Sequence, residues 1–150
     1  MRLWRISNYA DLSGLGGLKA PARWHSKGRP IVYCADHPAG ALLELLVQVS
    51  LENLPDRFQL LTIDIEDGIE PAVIDAAGLK TGWSSDTAYT RAIGDAWLAK
   101  MESLLLRVPS AIVPHAFNLL GNPRHGDAGR MRIIEAASVP LDQRLTHRQN

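Results

Sequence analysis

Cysteine is nearly missing from this 150-residue chain. Cys34 stands alone, so no internal disulfide can form and a secreted, disulfide-stapled scaffold is excluded. None is needed, because a domain of about 150 residues buries roughly 68–70% of the surface its unfolded chain exposes. A reducing, cytoplasmic setting is the expectation. Long apolar runs are missing too: stretches such as Leu45-Leu46-Val47 fall far short of the ~20 residues a spanning helix needs. No membrane segment is expected. Ser7, Asn8 and Asp11 interrupt the N-terminal region before the apolar core of an export signal develops. Net charge of either sign is absent, with 16 Lys and Arg against 16 Asp and Glu. Direct nucleic-acid binders usually carry a basic excess, so no direct nucleic-acid contact is expected. With no repeat, low-complexity tract or linker, residues 1–150 read as one domain, with the tail Thr146 to Asn150 expected to be disordered.

Charge is nonetheless uneven. Residues 1–30 hold Arg2, Arg5, Lys19, Arg23, Lys27 and Arg29 against Asp11 alone. That local excess suits a small anionic ligand, and equally an ordinary solvated surface.

Leu3 to Ile6 reads as a short strand, followed by the glycine-rich loop Ser13-Gly14-Leu15-Gly16-Gly17-Leu18. The loop fails the dinucleotide spacing G-x-G-x-x-G, and no helix start is expected before Pro21. Ile31 to Ala35 is β-branched and aromatic, which predicts a buried strand. Asp36 as N-cap and Pro38 in the first turn then predict a helix of roughly 12 residues through Val49. Leu60 to Glu66 reads as a half-buried strand closed by Asp67-Gly68. Apolar residues at helical spacing predict a long helix from Thr87 to Arg107, capped by Asp86 or Ser85. Ala111-Ile112-Val113 reads as a strand, Asn118 to Asp127 as a loop, and Met131 to Val139 as a last strand. Too few β-α alternations remain for a doubly wound sheet. The expected class is α+β with a central, mostly antiparallel sheet.

Glu44 lies in Ala41-Leu42-Leu43-Glu44-Leu45-Leu46-Val47, apolar on nearly every side of a helix. An unpaired buried carboxylate is costly, so Glu44 faces a cleft, has a partner, or occupies one exposed helix edge. Arg23 follows the glycine loop, where a guanidinium can fork onto phosphate oxygens or simply pack over Trp24. Tyr33 is by default a core or cross-strand aromatic. The histidines, His25, His37, His115, His125 and His147, show neither H-x-x-x-H nor H-E-x-x-H pairing, and a lone cysteine builds no thiolate site. No metal is expected. Ser110, between Pro109 and Ala111, lacks the surroundings of a nucleophile elbow.

In order along the chain stand Trp4-Arg5, Gly16-Gly17, Ala22-Arg23-Trp24, Ile31-Val32-Tyr33 and Ala41-Leu42-Leu43-Glu44. Trp83, Gly94-Asp95-Ala96-Trp97-Leu98, Val108-Pro109-Ser110-Ala111-Ile112-Val113-Pro114 and Asn118-Leu119-Leu120-Gly121-Asn122-Pro123 follow. Taken together this series resembles the RES domain family, from about Arg5 to Ile134. The resemblance implies an ADP-ribosyltransferase-like split sheet flanked by helices and the toxin role in a toxin–antitoxin system. It also implies NAD+ as substrate, with no prosthetic group. Arg23, Glu44 and Ser110 match the naming positions and Tyr33 the family's active-site tyrosine, while Arg5 and Asn118 fall in further motif positions lining the same cleft. The partner it implies is an antitoxin with an Xre-like helix-turn-helix, whose complex could also assemble the chain into a homo-oligomer. Pro21-Ala22 and His25 depart from the family's usual Gly-Gly and Asn.

Breaking the nicotinamide–ribose bond passes through an oxocarbenium-like state and releases a neutral leaving group, which calls for a carboxylate and a phosphate anchor instead of a metal. On that chemistry Glu44 steadies the ribose, Arg23 holds phosphate and Tyr33 packs on nicotinamide. Ser110 either bonds substrate, fixes Glu44, or only caps a strand edge. Asn118 equally suits loop architecture. Three outcomes stay open: hydrolysis or phosphorolysis of NAD+, transfer of ADP-ribose to a protein, and a non-catalytic nucleotide- or partner-binding domain.

Overall fold

The computed structural model describes residues 1–146. Positions 147–150 of the tail expected to be disordered lie outside the described residues, while the Thr146 N–H closes a last turn onto the Gln143 carbonyl at 3.0 Å. The architecture is α+β, as expected: a seven-stranded sheet of order β4-β5-β6-β2-β1-β3-β7 with helices packed against it. The strands are β1 (Arg2–Ile6), β2 (Val32–Ala35), β3 (Arg57–Ile65), β4 (Ala72–Val73), β5 (Leu105–Pro109), β6 (Phe117–Gly121) and β7 (Met131–Pro140). Every pairing is antiparallel except β4 with β5.

The sheet is nearly split. β1 meets β2 through one residue pair, Trp4 opposite Ala35, whereas β1 and β3 pair over five positions from Arg2↔Asp64 to Ile6↔Leu60. Beyond Trp4 and Ala35 the strands diverge and leave main-chain groups without ladder partners, which must be satisfied some other way. The Arg5 guanidinium crosses the gap and donates to the Tyr33 carbonyl at 3.0 Å.

Period-two alternation sends the side chains of β2, β5 and β6 to two cores. Val32, Cys34, Leu105 and Leu119 join Leu3, Leu61, Ile63 and Ile65 on one face. Leu106, Val108 and Leu120 join Trp24, Ile31, Trp97 and Leu98 on the other.

Helix α2 (Pro38–Gln48) packs over β1 and β2. Its cap is His37, whose Nδ1 accepts from the Ala39 N–H at 3.1 Å, and not Asp36. Pro38 explains the correction: a proline forces the residue before it into extended backbone, so the non-helical cap position is residue 37.

Helix α3 (Thr87–Lys100) is capped by Asp86, which accepts from the Tyr89 N–H at 3.0 Å. It stops at left-handed Met101, short of the expected Arg107. The Leu104-Leu105-Leu106 run belongs to a strand region buried on both faces, a pattern that periodicity does not separate from buried helix. That shift moves the following elements too. Ala111 to Val113 form a turn instead of a strand, and the start of the expected loop, Asn118 to Gly121, belongs to β6 (Phe117–Gly121). The glycine segment also holds a one-turn helix, α1 (Gly16–Lys19), ahead of Pro21. Gly14, at φ +69°, would place a Cβ 2.5 Å from the Ile31 nitrogen, and Gly17 one 2.2 Å from the Arg29 carbonyl oxygen, so the loop lies against residues 29–31 only because these side chains are absent.

Candidate active site

A cleft of about 800 Å³ opens where β1 and β2 part. Each wall follows from a local choice. β1 supplies Trp4 and Arg5, β2 supplies Tyr33, α2 supplies Glu44 and Gln48, and β6 supplies Asn118. The segment before β2 brings Arg23, and α3 brings Thr87 and Arg91. Among the lining residues there are three guanidiniums, Arg5, Arg23 and Arg91, and one carboxylate, Glu44. None of these four forms a salt bridge among the described residues, so the cleft carries a positive excess suited to an anionic ligand.

Glu44 resolves its sequence dilemma in two ways at once: it lines the cleft and it has a partner. The Asn118 amide donates to its Oε1 at 2.9 Å. Asn118 can do so because it lies on β6 opposite Ala35, next to the α2 face that carries Glu44. The amide fixes one carboxylate oxygen and leaves Oε2 without a donor among the described residues.

Arg23 is held through main chain. Its Nη1 donates to the Ser84 carbonyl at 2.6 Å. Its own carbonyl accepts from Thr90 Oγ1 at 2.6 Å, and the Ala22 carbonyl accepts from Arg91 Nε at 2.7 Å. One turn further along α3, Asp95 accepts from the Ser26 N–H and Oγ at 2.9 and 2.6 Å and pairs with Arg29 at 3.2 Å. Gly94 lets the helix approach, since a Cβ there would lie 1.7 Å from the Trp24 carbonyl oxygen. The Thr90/Gly94 and Arg91/Asp95 pairs are i, i+4 and share one helix face. Arg91 and Thr87 are lining residues that sequence reasoning missed, and that repeat was the available signal for Arg91.

Tyr33 lines the cleft while its hydroxyl is turned into a buried network. It accepts from the Trp24 N–H at 3.2 Å and meets His25 Nδ1 at 2.7 Å. Burial pushes its ionisation well above the ordinary tyrosine range. Arg5 lies nearby with a buried Nε–H that has no partner among the described residues, an arrangement native interiors tolerate sparingly.

Ser110 is outside the cleft lining. Its Oγ accepts from the Ile112 and Val113 N–H groups at 3.1 and 3.2 Å, closing the turn that brings Ala111 and Ile112 to the cleft. The structure thus brings Arg5, Arg23, Tyr33, Glu44 and Asn118 together and sets Ser110 one step behind them.

A family model described as RES domain matches residues 2–142. The chain belongs to the RES family. This RES domain is 47% identical over 147 residues to the Toxin Res of Pseudomonas putida, covering 97% of this chain and 99% of that one. It is 34% identical to the Prs ADP-ribosylating toxin of Sphingobium sp., covering 95% of this chain and 94% of the other. Its fold is similar to a chain in the crystal structure of the M. tuberculosis MbcT–MbcA toxin–antitoxin complex, with a TM-score of 0.73 at 19% identity over 93% of this chain and 84% of that one. Among the described residues, no helix of the RES domain is long and apolar enough to cross a membrane.

Proposed function

We propose that this RES domain is the toxin of a toxin–antitoxin pair and that its cleft cleaves the nicotinamide–ribose bond of NAD+. The observation that carries this reading is the Asn118–Glu44 pair at 2.9 Å in a cleft whose other charged lining residues are three arginines. One oriented carboxylate faces a positive surround, which matches a substrate with a diphosphate and a ribose that becomes cationic as its bond breaks.

Glu44 accepts from a ribose hydroxyl and stabilises the oxocarbenium charge, while Asn118 holds the carboxylate in place. Arg23 and Arg5 bind the diphosphate, and Tyr33 forms the wall on which nicotinamide packs. Ser110 acts through the turn it closes. Nicotinamide leaves as a neutral molecule, so the bond cleavage asks for neither a metal nor a prosthetic group. The C1″ cation is then captured by water, giving ADP-ribose and a proton, or by phosphate, giving ADP-ribose 1″-phosphate.

A second reading, favoured by the similarity to an ADP-ribosylating toxin, has a protein side chain as the acceptor. An enzyme that drains NAD+ in the cytoplasm requires an inhibitory partner, and an Xre-like antitoxin fits that need. Through it the complex would contact DNA and could gather more than one copy of the toxin.

The test is NAD+ loss with product identification, with and without phosphate, for wild type, Arg23→Ala and Glu44→Gln. Turnover abolished in both variants supports the enzyme, and the product names the acceptor. A folded wild type that consumes no NAD+, even with candidate protein acceptors, overturns it in favour of a non-catalytic binding domain.

A further inference from the structure

His25 has no role in the mechanism above, yet it is only 2% exposed and touches the cleft tyrosine. Its two ring nitrogens have different partners. Nε2 lies 3.0 Å from the Ala20 carbonyl, and a carbonyl oxygen only accepts, so Nε2 carries the proton. Nδ1 of the neutral ring is then an acceptor. Tyr33 Oη lies 2.7 Å from it and accepts the Trp24 N–H at 3.2 Å. The Tyr33 proton therefore points at His25.

We propose that His25 is a positioning residue that fixes the direction of the Tyr33 O–H, so that this tyrosine keeps its proton on the buried side and presents its ring face to a ligand in the cleft. Gly17 leaves room for both the Arg29 carbonyl and the imidazole, because a Cβ there would lie 2.2 Å from the Arg29 oxygen and 3.1 Å from Nε2. The rings of His25 and Tyr33 are tilted by 53° with centroids 5.6 Å apart, a geometry in which the contact between them is the hydrogen bond and not a stack. The Ser26–Asp95 and Arg91–Ala22 bonds hold the residues on either side.

Neutral His25 is also the form its surroundings favour. Burial lowers its pKa below the ordinary histidine range, and Arg91 on α3 lowers it further. The Ala20 and Gly17 main chain and Asp95 on α3 pull the other way. Tyr33 itself is too far raised to ionise near neutrality. Protonating His25 would make both ring nitrogens donors, and the Tyr33 O–H would have to turn away. This inference rests on the NAD+ reading only for its kinetic consequence.

Two substitutions separate the ring nitrogens. Asparagine carries a polar atom near the position of Nδ1, glutamine near that of Nε2. His25→Gln keeps the Ala20 tether and loses the Tyr33 acceptor, so its kcat should fall about tenfold with a smaller change in KM, the scale of one oriented hydrogen bond. His25→Asn keeps an acceptor for Tyr33 and should lose clearly less. In wild type, kcat/KM should decline as His25 gains its proton, below the ordinary histidine range. That acid limb should vanish in His25→Asn.

Two-bond proton–nitrogen NMR correlations of the same protein read the tautomer without any turnover, and His25→Asn assigns the signal. An Nε2-protonated neutral ring is expected. An Nδ1-protonated ring overturns the inference, as does equal damage by the two substitutions or an acid limb that persists in His25→Asn. A wild type with the expected tautomer but no NAD+ turnover overturns instead the enzymatic reading and, with it, the kinetic part of this one.

Discussion

The two halves of the sheet differ in how they are covered. In β2, β5 and β6 both faces meet a core, and 10 of their 14 residues are buried, from the patterns BiBB, BBiBB and iiBBB. In β7, at the far edge of the other half, only Met131 is buried out of 10 residues. The half packed on both faces is the one that carries Tyr33 and Asn118 and receives α3 with its Arg91. A reactive constellation has to be held by side chains that are themselves immobile, and the doubly covered half provides that for Tyr33, Asn118 and Arg91. Chemistry sits at the boundary because β1 leaves β2 there, opening space beside a rigid wall.

If this contrast is right, damage at the boundary should remove activity without unfolding the protein. Glu44→Gln keeps the shape and the Asn118 contact but loses the negative charge. Turnover of NAD+ should fall by about 100- to 1,000-fold, the usual cost of removing one group aimed at developing charge. Its melting temperature should stay close to wild type. An unchanged rate would break the assignment of Glu44.

Damage to the support of the doubly covered half should cost stability as well. Gly94→Ala drives a methyl into the Trp24 carbonyl, where the gap for a Cβ is 1.7 Å. Main chain cannot yield as a flexible side chain does, so about 2–4 kcal/mol of stability should be lost, at or above the upper end for overpacked sites. Arg23 is displaced at the same time, and activity should fall in step. Denaturant melts of the variant measure the first effect. A variant as stable as wild type would mean that α3 does not press on residues 22–26 in this way.

How far the sequence foretold this depends on whether a feature was local. Strands β1, β2, β3 and β7 and the start of α3 were legible, because alternation, turn residues and the Asp86 cap are written in a few adjacent positions. Glu44 was singled out by an argument from burial cost that left a cleft, a partner or an exposed helix edge open, and the structure supplies the first two. The misreadings cluster between Met101 and Asn122. There, Leu104 to Leu106 continued the helical spacing of α3 by coincidence, and Asn118 and Gly121, with Asn122 directly after, gave β6 the composition of a loop. Gly121 is in a strand because it pairs with Val32 on one side and Leu105 on the other, and the Met131 side chain covers it, a Cβ there being 3.1 Å from Met131 Cε. No short-range rule carries that information. The partner of Glu44 was equally hidden, since Asn118 is 74 residues away and meets it only once β6 pairs with β2.

Asn118 sharpens the same point on a smaller scale. Asn118→Ala removes the donor to Glu44 and leaves the carboxylate charged but unheld. Loss of one hydrogen bond to a charged group corresponds to about 1.5–3 kcal/mol, discounted here because the cleft is open to water. Activity should fall about tenfold, between the effects of Glu44→Gln and of a distant surface change. Kinetics of the double variant with Glu44→Gln should be no worse than Glu44→Gln alone, because Asn118 acts through Glu44. Additive losses would give Asn118 a contact of its own with substrate.

The smallest effect belongs to the half exposed on one face. Arg132 on β7 reaches Glu66 at 2.6 Å, a short ion pair, but its side chain is 68% exposed. Exposed pairs gain little from Coulomb attraction in water and lose side-chain freedom, so Arg132→Ala should cost about 0–1 kcal/mol, less still at high salt. Glu66 also retains Arg130 at 3.2 Å, which softens the loss further. Turnover should not change, because neither Arg132 nor Glu66 lines the cleft. A measurable fall in kcat for Arg132→Ala would mean that strain in β3 and β7 reaches across β1 to the boundary, and the two halves would then have to be treated as one mechanical unit.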